Sequence, residues 1–117
     1  MLTNFGKFCR KLRIEKGEIL FDMATKLGVS AAFLSKVENG KKMPLSEWGD
    51  IISVQYNLNL NERAYLRDLI FEERNKKSID ITSYSNTEKD MMLAFARKID
   101  TLGDQKLNEI KRILSDN

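Results

Sequence analysis

The 117-residue chain has no histidine and a single cysteine, Cys9. Without histidine it cannot assemble a His-based catalytic triad or a Cys/His zinc site, and one cysteine cannot close an internal disulfide. No stretch approaches the roughly 18 consecutive apolar residues of a membrane span, and Met1-Leu2-Thr3-Asn4 lacks the basic-then-apolar layout of a secretory signal. A cytoplasmic protein without membrane contact is expected. The acids, lysines, tyrosines and Cys9 form no recognisable local constellation, so no enzymatic activity, cofactor or metal is expected. The acids Glu72 and Glu73, and the pair Asp100 and Asp104, read as helix-surface charge. There is no internal repeat and no low-complexity tract, and proline occurs once, at Pro44.

What is present is 42% apolar and 32% charged residues, enough for one domain with a modest appendage. The net charge of +3 is unevenly distributed. Residues 1–44 hold nine Lys or Arg against four acids, whereas residues 78–117 hold six against seven. A polyanion would therefore meet the N-terminal half.

Apolar spacing predicts an all-α chain. Phe5, Phe8, Cys9 and Leu12 lie on one face of a first helix ending near Gly17, with Cys9 a buried small hydrophobe. Leu20, Met23, Ala24 and Leu27 define a second helix that stops at Gly28. Ser30 is placed to cap a third helix, Ala31 to about Asn39, with Val29 and Leu34 closing a hydrophobic staple around its start. Leu34 and Val37 point inward, leaving Ala31, Ala32, Ser35 and Lys36 outward. A fourth helix over Ser46 to Tyr56 buries Trp48, Ile52 and Tyr56. A fifth is expected to be capped by Asn61 and stapled by Leu60 and Tyr65, with Leu66, Leu69 and Ile70 inward. Between Lys76 and Ser83, Ile79 and Ile81 alternate with polar neighbours, as in a short strand or an extended link. Ser85 and Glu88 then have capping-box spacing before a sixth helix carrying Met92, Phe95, Ala96 and Ile99. Leu107, Ile110, Ile113 and Leu114 form a seventh. The expected division is residues 1–76 as one domain and 77–117 as a C-terminal helical hairpin, expected to be the dimerisation region and packed on the first domain or on another copy of the chain.

Two short helices joined by the turn Gly28-Val29-Ser30, the second presenting small and basic groups outward, form a helix-turn-helix pattern able to enter the DNA major groove. Small side chains permit close approach, an alanine methyl can meet a thymine methyl, and Lys36 can donate to guanine. Asn39, Lys41 and Lys42, with backbone N–H groups near Gly40, suit phosphate oxygens. Phe33 either lines the DNA or packs on the fourth helix.

The run Leu12-Arg13, Lys16-Gly17, Met23-Ala24, Lys26 to Ser30, Phe33 to Lys41 and Pro44 resembles the Cro/C1-type (XRE family) helix-turn-helix repressors over about Asn4 to Asn57. The resemblance implies a five-helix, lambda-repressor-like domain, a third helix that reads the major groove, and dimers on near-palindromic double-stranded operators. It also implies base contact by Ala31, Ala32 and Lys36, phosphate contact by Asn39 and Lys41, and a structural pair between Arg13 and Glu38. The full set of candidate DNA contacts is Ser30, Ala31, Ala32, Phe33, Ser35, Lys36, Asn39, Lys41 and Lys42. One departure stands out: where the family has a Ser or Thr cap followed by Gln, this chain has Ile19 and Leu20. The expected function is a dimeric, sequence-specific transcriptional repressor. The alternative is an antitoxin-type protein that holds a partner protein and autoregulates its own operon.

Overall fold

Side-chain caps set where several helices of this chain begin, and left-handed residues set where several end. In a computed structural model, which describes residues 1–77 and 81–115, the helices are α1 (Asn4–Lys16), α2 (Leu20–Leu27), α3 (Ala31–Glu38), α4 (Trp48–Gln55), α5 (Leu60–Asn75), α6 (Asn86–Lys98) and α7 (Asp104–Ser115). A 3-10 turn, Ile99–Thr101, follows α6. The chain is all-α and divides into two units, Met1–Ile79 and Asp80–Asn117.

The caps follow local chemistry. Thr3 Oγ1 accepts from the Gly6 N–H at the start of α1, and Ser30 Oγ accepts from the Phe33 N–H at the start of α3, both at 3.0 Å. Val29 is half-buried and Leu34 buried, as the staple requires. Gly28, at φ 72°, ends α2 in the left-handed region that a side chain would strain.

Two expected boundaries move. The cap of α5 is Asn59, not Asn61: Asn59 Oδ1 accepts from the Glu62 N–H at 2.8 Å, and Glu62 Oε1 accepts from the Asn59 N–H at 2.9 Å. Shifting the start by two residues turns Leu60 and Tyr65 out of any staple, and they are 84% and 54% exposed. Tyr65 instead meets the edge of Phe8, at 5.7 Å between ring centres. Helix α4 begins at Trp48, after a turn in which the Trp48 N–H reaches the Leu45 carbonyl at 3.1 Å.

The first unit has a continuous core. Phe5, Cys9 and Leu12 of α1 pack with Met23, Ala24 and Leu27 of α2, Leu34 and Val37 of α3, Trp48 and Ile52 of α4, and Leu66, Leu69 and Ile70 of α5. Helix α1 packs on α2, α3 and α5, α2 on α3 and α4, and α4 on α5. Trp48 is fully buried between the rings of Phe5 and Phe33, and its Nε1–H has no partner among the described residues. Burying about 200 Å² of indole at roughly 25 cal/mol/Å² gives about 5 kcal/mol, against about 1–3 kcal/mol for an orphaned donor. Packing wins that contest.

The second unit is built differently. Neither α6 nor α7 contains a buried residue, and their Cα atoms stay more than 8 Å apart. The strand expected between the units is absent among the described residues. Lys76 and Lys77 bend, and the Tyr84 N–H closes a turn onto the Ile81 carbonyl at 3.1 Å, while Ile79 lies outside the described residues. Two alternating isoleucines supply a strand pattern but no neighbouring strand to satisfy its backbone. Among the described residues no helix is long and apolar enough to cross a membrane.

Candidate functional site

Helix α3 is only eight residues long, so its orientation depends on tertiary anchors rather than on its own stability. Glu38, its last residue, supplies the principal anchor. Its carboxylate receives Arg13 of α1 in a two-pronged pair, Nη1 to Oε2 at 2.5 Å and Nη2 to Oε1 at 3.0 Å, with both residues buried. Burial alone would lower the Arg13 pKa, but the hydrogen bond and the charge of Glu38 outweigh it and raise it. The Glu38 carbonyl oxygen is held in turn by the Thr3 N–H at 2.9 Å and the Thr3 hydroxyl at 3.0 Å. Side chain and main chain of one residue thus tie α3 to α1.

This anchor widens the inward face of α3. The sequence pattern takes Leu34 and Val37 as inward and Ala31 as outward, yet Ala31 is half-buried against the core. The reason is angular: seven residues on a helix return to within about 20° of the same direction, so Ala31 lies nearly above the buried Glu38. Ser35 is also half-buried. Ala32 and Lys36 are exposed, and both lie roughly 160° from the centre of the inward face. Phe33 is half-buried with its ring edge-on to Trp48, at 6.1 Å and 84° between planes, so it packs on α4.

The end of α3 is more self-contained than its sequence suggests. The N–H groups of Asn39, Gly40 and Lys41 bond the carbonyls of Ser35, Val37 and Lys36 at 3.1, 3.0 and 2.9 Å. The backbone donors expected to await phosphate near Gly40 are therefore already used in closing the helix. Asn39 Nδ2 also donates to the Ser35 carbonyl at 2.8 Å, which leaves one amide hydrogen for a ligand. Lys36, Lys41 and Lys42 are exposed and form no ion pair among the described residues. Their ammonium groups remain the chief cationic donors of this segment.

The start of α2 solves its capping problem without a hydroxyl. Asp22 Oδ2 accepts from the Ile19 N–H at 2.9 Å, while the Ile19 side chain is 66% exposed and Leu20 is half-buried against the core. Phe21 is 64% exposed beside it. Glu18, the residue before Ile19, is engaged elsewhere. It joins Lys26 of α2 and accepts from the Tyr56 hydroxyl at 2.5 Å, and the Lys26 ammonium lies 4.5 Å from the centre of the Tyr56 ring. Burial works to raise the Glu18 pKa, but the hydrogen bonds from Lys26 and Tyr56 prevail and hold it below the usual carboxylate range. Burial, then the bond to Glu18, pushes the Tyr56 phenol up. Lys26 and Arg13 are thus engaged inside the protein, and this three-residue network had no local spacing to announce it.

Chemically, the segment offers a narrow outer strip of small and hydroxyl-bearing side chains, Ala32 with Ser30 and Ser35 at its edges, beside three ammonium groups unpaired among the described residues. Such a strip can approach a flat, acceptor-rich surface closely and can neutralise anionic oxygens at its end. Comparison of the chain with protein-family models, curated proteins and solved structures found no match in any of the three.

Proposed function

We propose that the chain is a sequence-specific DNA-binding transcriptional regulator, a dimeric repressor of the Cro/C1 (XRE) helix-turn-helix type. In this reading α1 to α5 form a lambda-repressor-like domain, and α3 enters the major groove of a near-palindromic operator. The observation that carries it is the α2-turn-α3 unit: two eight-residue helices, the second locked to α1 through Glu38 and exposing Ala32 and Lys36. A recognition helix must hold its side chains rigidly against base edges, and a buried two-pronged pair supplies that rigidity.

Lys36 is assigned to base edges, Ala32 to a thymine methyl, and Lys41 and Lys42 to phosphates. Ser30 and Asn39, engaged in capping, retain one hydroxyl or amide hydrogen each for the backbone of the DNA. Ala31, Phe33 and Ser35 border the strip and shape how closely it docks. At the start of α2, Asp22 closes the helix end and Ile19 offers no polar group, so the phosphate contact on that side is weaker than a Gln would give. The sparse polar strip leaves much of the discrimination to methyl contacts and DNA shape.

Selection from a random duplex pool at two salt concentrations tests the reading. An enriched two-fold motif whose binding falls steeply with salt supports it; no enrichment and no salt dependence reject it.

A further inference from the structure

The second unit leaves several of its large apolar side chains exposed. On α6, Met91 is 68% and Phe95 40% exposed, and the helix has no buried residue. Along the same face the order is Glu88, Met91, Phe95 and Lys98, a 3-4-3 spacing that keeps all four on one seam. Met92 and Ala94, both half-buried, border it.

That seam is self-complementary. A two-fold axis at the level of Leu93 exchanges position 88 with 98 and position 91 with 95. Antiparallel pairing of two identical helices then sets acid against base at both ends and Met91 against Phe95 twice in the middle. Parallel pairing would set Glu88 against Glu88 and Lys98 against Lys98. Lys89 and Arg97, which the same axis also brings level, lie roughly 140° from the seam and are not forced together.

We propose that this face of α6 is a homodimer interface in which α6 of one copy lies antiparallel to α6 of a second, Glu88 pairing with the second copy's Lys98 and Met91 packing on the second copy's Phe95. Glu88 is suited to both of its tasks. Its Oε1 takes the Ser85 N–H at 2.8 Å, closing the capping box, and Oε2 is left for the ammonium. Hydrogen bonds from Ser85 lower its pKa, so it carries its charge at neutral pH. Lys98 has no carboxylate partner among the described residues. The proposal gives the dimeric reading above a surface, and it does not depend on DNA contact.

Sedimentation equilibrium of the full chain without DNA tests it. Glu88→Lys and Lys98→Glu each bring like charges together twice per dimer and are expected to weaken association about tenfold. Mixed in equal amounts, the two variants regain every opposite-charge pair and are expected to form a heterodimer close to wild-type strength. Glu88→Gln keeps a capping-competent side chain and is expected to weaken the dimer less than Glu88→Lys. If Glu88→Lys loses helix content, Glu88→Gln and Lys98→Glu still carry the test, since neither removes the cap. A monomeric wild type, a charge-reversed variant that dimerises undiminished, or a mixture no tighter than its parts overturns the interface. Operator selection is read separately: a dimer that selects no DNA rejects the DNA reading and leaves the seam standing, and a monomer that selects DNA does the reverse.

Discussion

Gly6 and Glu38 approach so closely that a Cβ built on Gly6 would lie 2.4 Å from the Glu38 carbonyl oxygen. The same oxygen accepts two hydrogen bonds from Thr3, so it cannot retreat without breaking the clasp between α1 and α3. Gly6→Ala is therefore expected to destabilise the protein by about 1–3 kcal/mol, as overpacking does elsewhere, despite the better helix propensity of alanine. A thermal melt followed by circular dichroism checks this; an unchanged or raised midpoint would show that the two helices can separate at little cost.

Arg13→Met leaves the buried Glu38 carboxylate without its partner and is expected to cost about 3–5 kcal/mol. Arg13→Met combined with Glu38→Leu removes the stranded charge and should cost less than the single change. Urea unfolding of the three variants measures the coupling. Additive losses would mean that the two side chains act independently.

The network of Glu18, Lys26 and Tyr56 gives stability two pH limits. The folded Glu18 pKa is depressed, so as pH falls the unfolded chain takes up the proton first, and its contribution is lost from the ordinary carboxylate range downward. The folded Tyr56 pKa is raised, so as pH rises the unfolded chain loses the phenolic proton first, and stability falls above about pH 10. Glu18→Gln should flatten the acid limb, and Tyr56→Phe should lessen the alkaline limb, to which the buried Cys9 thiol, pushed up by desolvation, also contributes, in melts recorded across pH. Limbs that survive both substitutions undiminished would assign the pH dependence to other groups.

Lys36 and Lys41 are assigned different work under the proposed function. Lys36→Ala is expected to change which sequences are preferred. Lys41→Ala is expected to weaken binding to all sequences alike and to reduce the slope of log affinity against log salt by about one. Titrations on a selected operator and on random duplex separate the two. Equal effects of both substitutions on both DNAs would contradict the division.

What spacing alone made legible lies within five residues along the chain, while the Arg13–Glu38 pair, 25 positions apart, was legible only through the family resemblance. Ser30 with Phe33, Val29 with Leu34, and Ser85 with Glu88 follow from spacing alone. Asn59 and Asn61, at the start of α5, show how narrow that signal is: only Asn59 has an acid three residues on, and choosing Asn61 displaced the staple as well. Contacts made by the fold carry no such mark. Glu18 and Tyr56 stand 38 positions apart. Gly6 looks like an ordinary helix residue until α3 is laid across it, and Ala31 looks outward until Glu38 is seen to be buried. The N–H groups after Val37 look available until the turn at Gly40 uses them.

Trp48, the one tryptophan of the chain, lies in the packed centre of Met1–Ile79. Its emission therefore reports the solvent exposure of that unit's core, while α6 and α7 contribute no indole. Far-ultraviolet ellipticity, by contrast, sums over every helix in the chain. Unfolding curves recorded by the two signals coincide only if both units melt together. A gap between them would show that α6 and α7 melt apart from the core around Trp48, and a gap that changes with protein concentration would trace their helicity to association.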